Sequence, residues 1–157
     1  MIEQIYNYFT IDVLYMWINL GVIPFWFILI VFPQSPLSRY VVTTIFPFLL
    51  LSGVYIYILY RSFTVGYDFD ANFSLYLGLV ELSRLFEDNL YLTLFWTHFV
   101  AINLFVGGWI VKDAQKFSIN KVLLAVPLII TYLVGPIGIF IYWIIRIFYA
   151  KRISLYE

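Results

Sequence analysis

Residues 90–111 read LYLTLFWTHFVAINLFVGGWIV, twenty-two residues without a charged side chain, followed at once by Lys112 and Asp113. An α-helix rises ~1.5 Å per residue and the hydrocarbon core of a bilayer is ~30 Å thick, so about 20 apolar residues are enough to cross it. Three further runs share this character. Val13–Phe32 carries Pro24 inside it and is closed by Pro33 and Pro36. Val41–Tyr60 has Pro47 near its start and Arg61 after its end. Val122–Phe148 has Pro127 early, Gly135-Pro136 in the middle, and Arg146, Lys151 and Arg152 towards its close. A proline inside such a run removes one ladder hydrogen bond and kinks the helix.

The whole chain agrees with its parts. Of 157 residues, 64% are hydrophobic and 11% charged, and the mean hydropathy is +0.94. A soluble domain is about half apolar and about a quarter charged, so this polypeptide lacks the polar surface to stay dispersed in water. Aromatic residues make up 22%, and many of the Tyr and Trp lie near the ends of the apolar runs, where amphipathic rings favour the headgroup level. The expected fold class is therefore all-α: a polytopic membrane protein with about four transmembrane helices, residues 1–157 forming a single transmembrane domain.

Ser62–Asn89, between the second and third runs, is more polar and holds Asp68, Asp70, Glu81, Arg84, Glu87 and Asp88. Within it, Leu75, Leu79, Leu82, Leu85 and Phe86 are spaced as on a short amphipathic helix lying in the interface, so Leu75–Phe86 is read as interfacial, with a packed loop as the alternative. Residues 1–10 contain Glu3 and no Lys or Arg, so no cleavable targeting segment is expected, and a bacterial, organelle-encoded or already trimmed chain fits. There are no cysteines, hence no disulfide or thiolate site, and the zero net charge gives no reason to expect nucleic acid as a partner. With four crossings, Arg61, Arg84, Arg146, Lys151 and Arg152 fall on one side, and Arg39, Lys112, Lys116 and Lys121 on the other. Five against four leaves the orientation open.

Polar side chains at membrane depth each cost free energy unless satisfied, which makes them the candidate functional residues. The third run holds Thr93, Thr97, His98 and Asn103. His98, the only histidine, can donate and accept one proton, so it is either an acid/base group or a bridge between helices. One His without Cys forms no recognisable metal-ligand set. Asn103, about 140° further round the helix, cannot share a face with His98 and is expected to bond across to another helix. Gly107-Gly108 and Gly135-Pro136-Ile137-Gly138 allow close backbone approach, for packing or for a ligand groove. Asp113 reads most simply as a solvated charge at a helix end.

Taken as a unit, Phe95-Trp96-Thr97-His98-Phe99 through Asn103 and Gly107-Gly108-Trp109 to Lys112-Asp113-Ala114 resembles the signature of the abscisic-acid-deficient-four, or neoxanthin-synthesis, family of small integral membrane proteins. Pro24-Phe25-Trp26 through Phe32-Pro33 with Leu37-Ser38-Arg39, Phe73-Ser74-Leu75 through Leu82-Ser83-Arg84-Leu85-Phe86, and Leu133 through Gly138 resemble further family segments in the right order. The resemblance implies a membrane protein needed to form neoxanthin from violaxanthin, a carotenoid-epoxide isomerisation without net redox change. It would need a proton delivered to the epoxide oxygen and another removed from the polyene. On this resemblance His98 and Asp113 are the candidate catalytic residues. Trp26, Phe86, Trp96, Asn103, Trp109 and Gly135 are the candidate substrate-binding residues, and no metal is implied. A bound carotenoid or lipid is the expected companion.

The sequence departs from the family pattern where Asn103 replaces an Asp and Gly108 an Arg. A buried ion pair can be lost jointly without stranding either charge. Two functions therefore stay open: an isomerase in a photosynthetic or other pigmented membrane, bacterial or organellar, or a non-catalytic carotenoid- or lipid-binding subunit working beside other membrane subunits.

Overall fold

The computed structural model describes residues 9–42, 44–66, 73, 76–151 and 153–154, the side chains of Val41 and Val42 excepted. The regular structure among the described residues is helical: α1 (Ile11–Val31), a π-helical turn (Ser38–Val42), α2 (Phe46–Thr64), α3 (Leu79–Leu85), α4 (Asn89–Lys116), α5 (Lys121–Leu133) and α6 (Gly135–Ala150). Helices α1, α2 and α4 are long and apolar enough to cross a membrane. Large apolar side chains such as Trp17, Phe27, Leu49, Phe105 and Phe140 lie exposed along the helices, as a lipid-solvated surface requires.

The chain divides into two compact units, residues 1–20 with 48–99 and residues 21–47 with 100–157, so α1 and α4 each give their first part to one unit and their second to the other. In the first unit Leu14, Ile18, Leu51, Ile58, Leu85 and Leu94 are buried. Asp88 caps α4, its Oδ1 accepting the Tyr91 N–H at 2.8 Å. The Arg61 guanidinium donates to the Phe9 carbonyl at 2.8 Å. The interfacial element is shorter than its apolar spacing suggests, seven residues from Leu79 to Leu85, and Leu75 lies outside the described residues. Helix α2 starts five residues later than the apolar run, because Pro47 lacks an N–H and is accommodated in a first turn.

The second unit holds the main departure from expectation. The fourth apolar run is not one helix but two, of 13 and 16 residues, joined through Val134 alone. Pro136 has no N–H to continue a ladder and sits in the first turn of α6. A Cβ on Gly138 would overlap the hydroxyl and backbone nitrogen of Thr131. Residues seven apart on one continuous helix are separated by ~10 Å along its axis, so this contact means that the chain turns back on itself. Helix α6 then follows α4 in parallel register: Asn103 meets Gly135, Trp109 meets Tyr142, and Asp113 meets Arg146. At ~1.5 Å per residue the two arms are about 20 and 24 Å long, short of a full hydrocarbon core.

Helix α4 runs five residues past its apolar stretch, which places Asp113 inside it. It closes with Ser118 at φ 52°, the Ile119 N–H bonding to the Ala114 carbonyl at 3.0 Å and the Ser118 N–H to that of Gln115 at 3.3 Å. Gln115 donates to the Pro33 carbonyl at 2.6 Å and Gln34 to the Ile119 carbonyl at 3.4 Å, which ties the end of α1 to the α4–α5 turn. Gly107 gives room to Trp26, whose ring also meets Tyr132 at 5.4 Å.

Gly138→Ala forces a methyl group into the Thr131 backbone and should destabilise the protein by about 1–3 kcal/mol. Gly53, on α2 with nothing within 4 Å of its would-be Cβ, should gain ~0.5–1 kcal/mol as Ala. Thermal midpoints of the two variants in the same detergent, moving in opposite directions, check both.

Candidate functional site

The first unit contains a cleft of about 280 Å³ lined by Ile11, Asp12, Tyr15, Asn89, Leu92, Thr93 and Trp96. The first turn of α1 supplies Asp12, where negative charge is favoured near the free N–H groups of a helix start. The indole of Trp96 is fixed from three directions. Its Nε1 donates to Asn19 Oδ1 at 3.1 Å, the Tyr15 ring lies 5.9 Å away at 44°, and the Phe99 ring stacks at 5.4 Å and 30°. Asn19 in turn donates to the Tyr15 carbonyl at 2.7 Å. Thr93 and Thr97 bond back to the carbonyls of Asn89 and Thr93 at 2.7 Å each. The result is a cleft with an aromatic wall and one carboxylate, a lining that accommodates a flat apolar group carrying an oxygen substituent.

The second unit holds a buried ionic cluster. Asp113 Oδ2 accepts from Arg146 Nε at 2.6 Å and from the Tyr142 hydroxyl at 2.7 Å. The Arg146 and Asp113 side chains are 3% and 10% exposed. Trp109 stands edge-on to Tyr142 at 5.7 Å, and the guanidinium carbon lies 5.1 Å over the Phe117 ring. Beside it, Trp143, Arg146, Ile147 and Ile153 line a second cavity of about 260 Å³. Among the described residues no group of three or more His, Cys, Asp or Glu could hold a metal ion.

The candidates from the sequence are distributed as follows. His98 is exposed on α4. Asp113 lies 15 residues further along the same helix, ~22 Å of rise, and in the other unit. Trp96 lines the cleft, while Phe86 packs edge-on against Tyr91 and Phe95 at 5.6 and 4.8 Å. Trp26 is buried at 3% exposure against Gly107. Asn103, buried at 6%, presses its Oδ1 into the space a Gly135 side chain would fill, and its Nδ2 has no partner. Trp109 joins the ionic cluster.

Sequence reasoning missed Asp12 and the role of Arg146. Arg146 looks like a flanking charge, yet four apolar residues follow it before Lys151, and it sits one turn after Tyr142, which itself follows Gly138 by one turn. That i, i+4 series marks a buried face. Asp12, next to Val13 at the start of the first run, carries no comparable signal.

The model of a family described as ABA DEFICIENT 4-like matches residues 13–142. The chain is similar to Protein ABA DEFICIENT 4, chloroplastic, from Arabidopsis thaliana, 24% identical over 103 residues. That alignment covers 64% of this chain and 46% of the relative, so the chain spans about half the length of the curated relative it matches. No solved structure matches.

Arg146→Met alone leaves Asp113 buried without its countercharge and should cost about 3–5 kcal/mol, whereas adding Asp113→Leu should recover most of that loss. A double-mutant cycle of unfolding midpoints in detergent measures the coupling; additive losses would show the pair to be solvated.

Proposed function

The chain belongs to the ABA DEFICIENT 4-like family, and on that premise we propose that it acts on an epoxidised carotenoid in the membrane, as an isomerase of the violaxanthin-to-neoxanthin type. The observation that carries this reading is the cleft of the first unit, whose lining includes both a hydrogen-bonded indole and a carboxylate. A xanthophyll end group is a bulky apolar ring bearing oxygen, and it would stack on Trp96 while Asp12 and Thr93 approach its polar edge. The reaction opens the epoxide as a proton reaches its oxygen, and forms the allene as a polyene carbon loses one. A carboxyl group can serve either transfer. In this reading Asp12 is the acid/base group beside the ring. His98 remains a second candidate for proton transfer, towards a polyene lying along the exposed face of α4. The protein is then a multi-pass component of a pigmented membrane, bacterial or organellar, with lipid and carotenoid as its companions.

A second reading, a non-catalytic carotenoid- or lipid-binding subunit of a larger membrane complex, is favoured by one specific observation. The neutral pair Asn103 and Gly108 stands where the family resemblance leads one to expect Asp and Arg, and the nearby carboxylate of Asp113 is already engaged by Arg146 and Tyr142.

Purification in mild detergent should yield a carotenoid absorption spectrum that Trp96→Ala weakens several-fold. Feeding violaxanthin should give neoxanthin, with Asp12→Asn abolishing product while retaining pigment. Retained pigment with no turnover in the unaltered protein selects the binding reading, and absence of pigment in all preparations sinks both.

A further inference from the structure

We propose that α5 and α6 form a re-entrant hairpin, entering and leaving the membrane on one side, and that this side is the positively charged, cytoplasmic or equivalent face. The proposal rests on the reading of α1, α2 and α4 as crossing helices.

The two arms are about 20 and 24 Å long, and the contact of Gly138 with Thr131 folds one back on the other. Arg146 therefore returns to the level of Asp113, close to the turn at Ser118 where α5 sets out. A hairpin that crosses nothing changes the sorting of charges along the chain. Lys112, Lys116, Lys121, Arg146 and Lys151 all gather at the end of the second unit where α4 finishes. Arg39 joins them, because Gln34 and Gln115 bind the end of α1 to the same turn. Only Asp113 among the described acids lies there, and Arg146 neutralises it. In the first unit, around the starts of α1 and α4 and the end of α2, stand Asp12, Glu81, Glu87 and Asp88, with Arg61 and Arg84.

Six described cations against two replace the near balance that four crossings would give. Loops rich in Lys and Arg close to helix ends are retained on the cytoplasmic side during insertion, so this asymmetry sets the orientation. The consequence is an odd number of crossings, with the start of α1 and the end of α6 on opposite sides.

The absence of cysteine gives a silent background for labelling. Lys121→Cys, Ser154→Cys and Glu87→Cys are each made singly in the full chain, expressed in a bacterial inner membrane, and exposed to a membrane-impermeant maleimide in sealed inverted and right-side-out vesicles. The expected result is at least tenfold more labelling of positions 121 and 154 in inverted vesicles, and of position 87 in right-side-out vesicles. Labelling of 154 from the side opposite 121 means that the hairpin crosses and overturns the proposal. Labelling of 121 and 154 from the outer face overturns the orientation. Labelling of 87 and 121 from one side removes the crossing of α4 itself, and with it the multi-pass reading.

Discussion

In a bilayer no water is available to satisfy a freed backbone group, so a break in an apolar helix has to be closed by protein. At the break between α5 and α6 the groups around Val134 are bonded within the chain, and the bare backbone of Gly138 lies against that of Thr131. Val134 serves as the end of one helix and the start of the next, its N–H bonding to the Ile130 carbonyl at 2.6 Å while its carbonyl accepts from Ile137 and Gly138 at 3.2 and 3.3 Å. Without a side chain at 138 the two arms can lie in contact, and with them in contact α6 reaches α4 in the register that pairs 113 with 146.

That register decides where charge can be buried. An isolated carboxylate or guanidinium in this environment would be expensive, and the pair persists because Asp113 receives two hydrogen bonds while Phe117 covers the guanidinium. Charge and backbone geometry therefore depend on each other: the turn brings Arg146 to Asp113, and the ion pair holds the returning arm against α4. By contrast, the buried hydroxyls of Ser62, Thr93, Thr97 and Thr131 all bond to carbonyls four residues earlier on their own helices. Their hydrogen bonds are spent within single helices, which leaves shape and the few amides and charges to link one helix to another.

Much of this was legible in the residues. Hydropathy and length identified α1, α2 and α4, because lipid solvation is a property of composition along a segment. The positions of Pro24, Pro33 and Pro47 marked helix interiors and ends. The third-run motif pointed to the family. The hairpin was harder to foresee, since Gly135-Pro136 in an apolar run of membrane length is compatible with a kinked crossing as well as with a reversal. The deciding contact, Gly138 on Thr131, is tertiary. For the same reason Arg146 reads in the sequence as a flanking charge. The candidate aromatic residues share only their type, and type does not reveal that Trp26 is consumed by packing while Trp96 borders a cleft.

Asn103 shows what the fold does with a position where relatives are expected to carry an acid. Its side-chain oxygen rests on Gly135, the first residue of α6, where the summed peptide dipoles of that helix present their positive pole. A carboxylate there would lie in the field of that helix start. A neutral amide places an oxygen there without the charge, and brings with it an Nδ2 that is buried without a partner. An acid at this position would therefore change the charge at that pole by one unit and remove the unpartnered amide nitrogen in the same step.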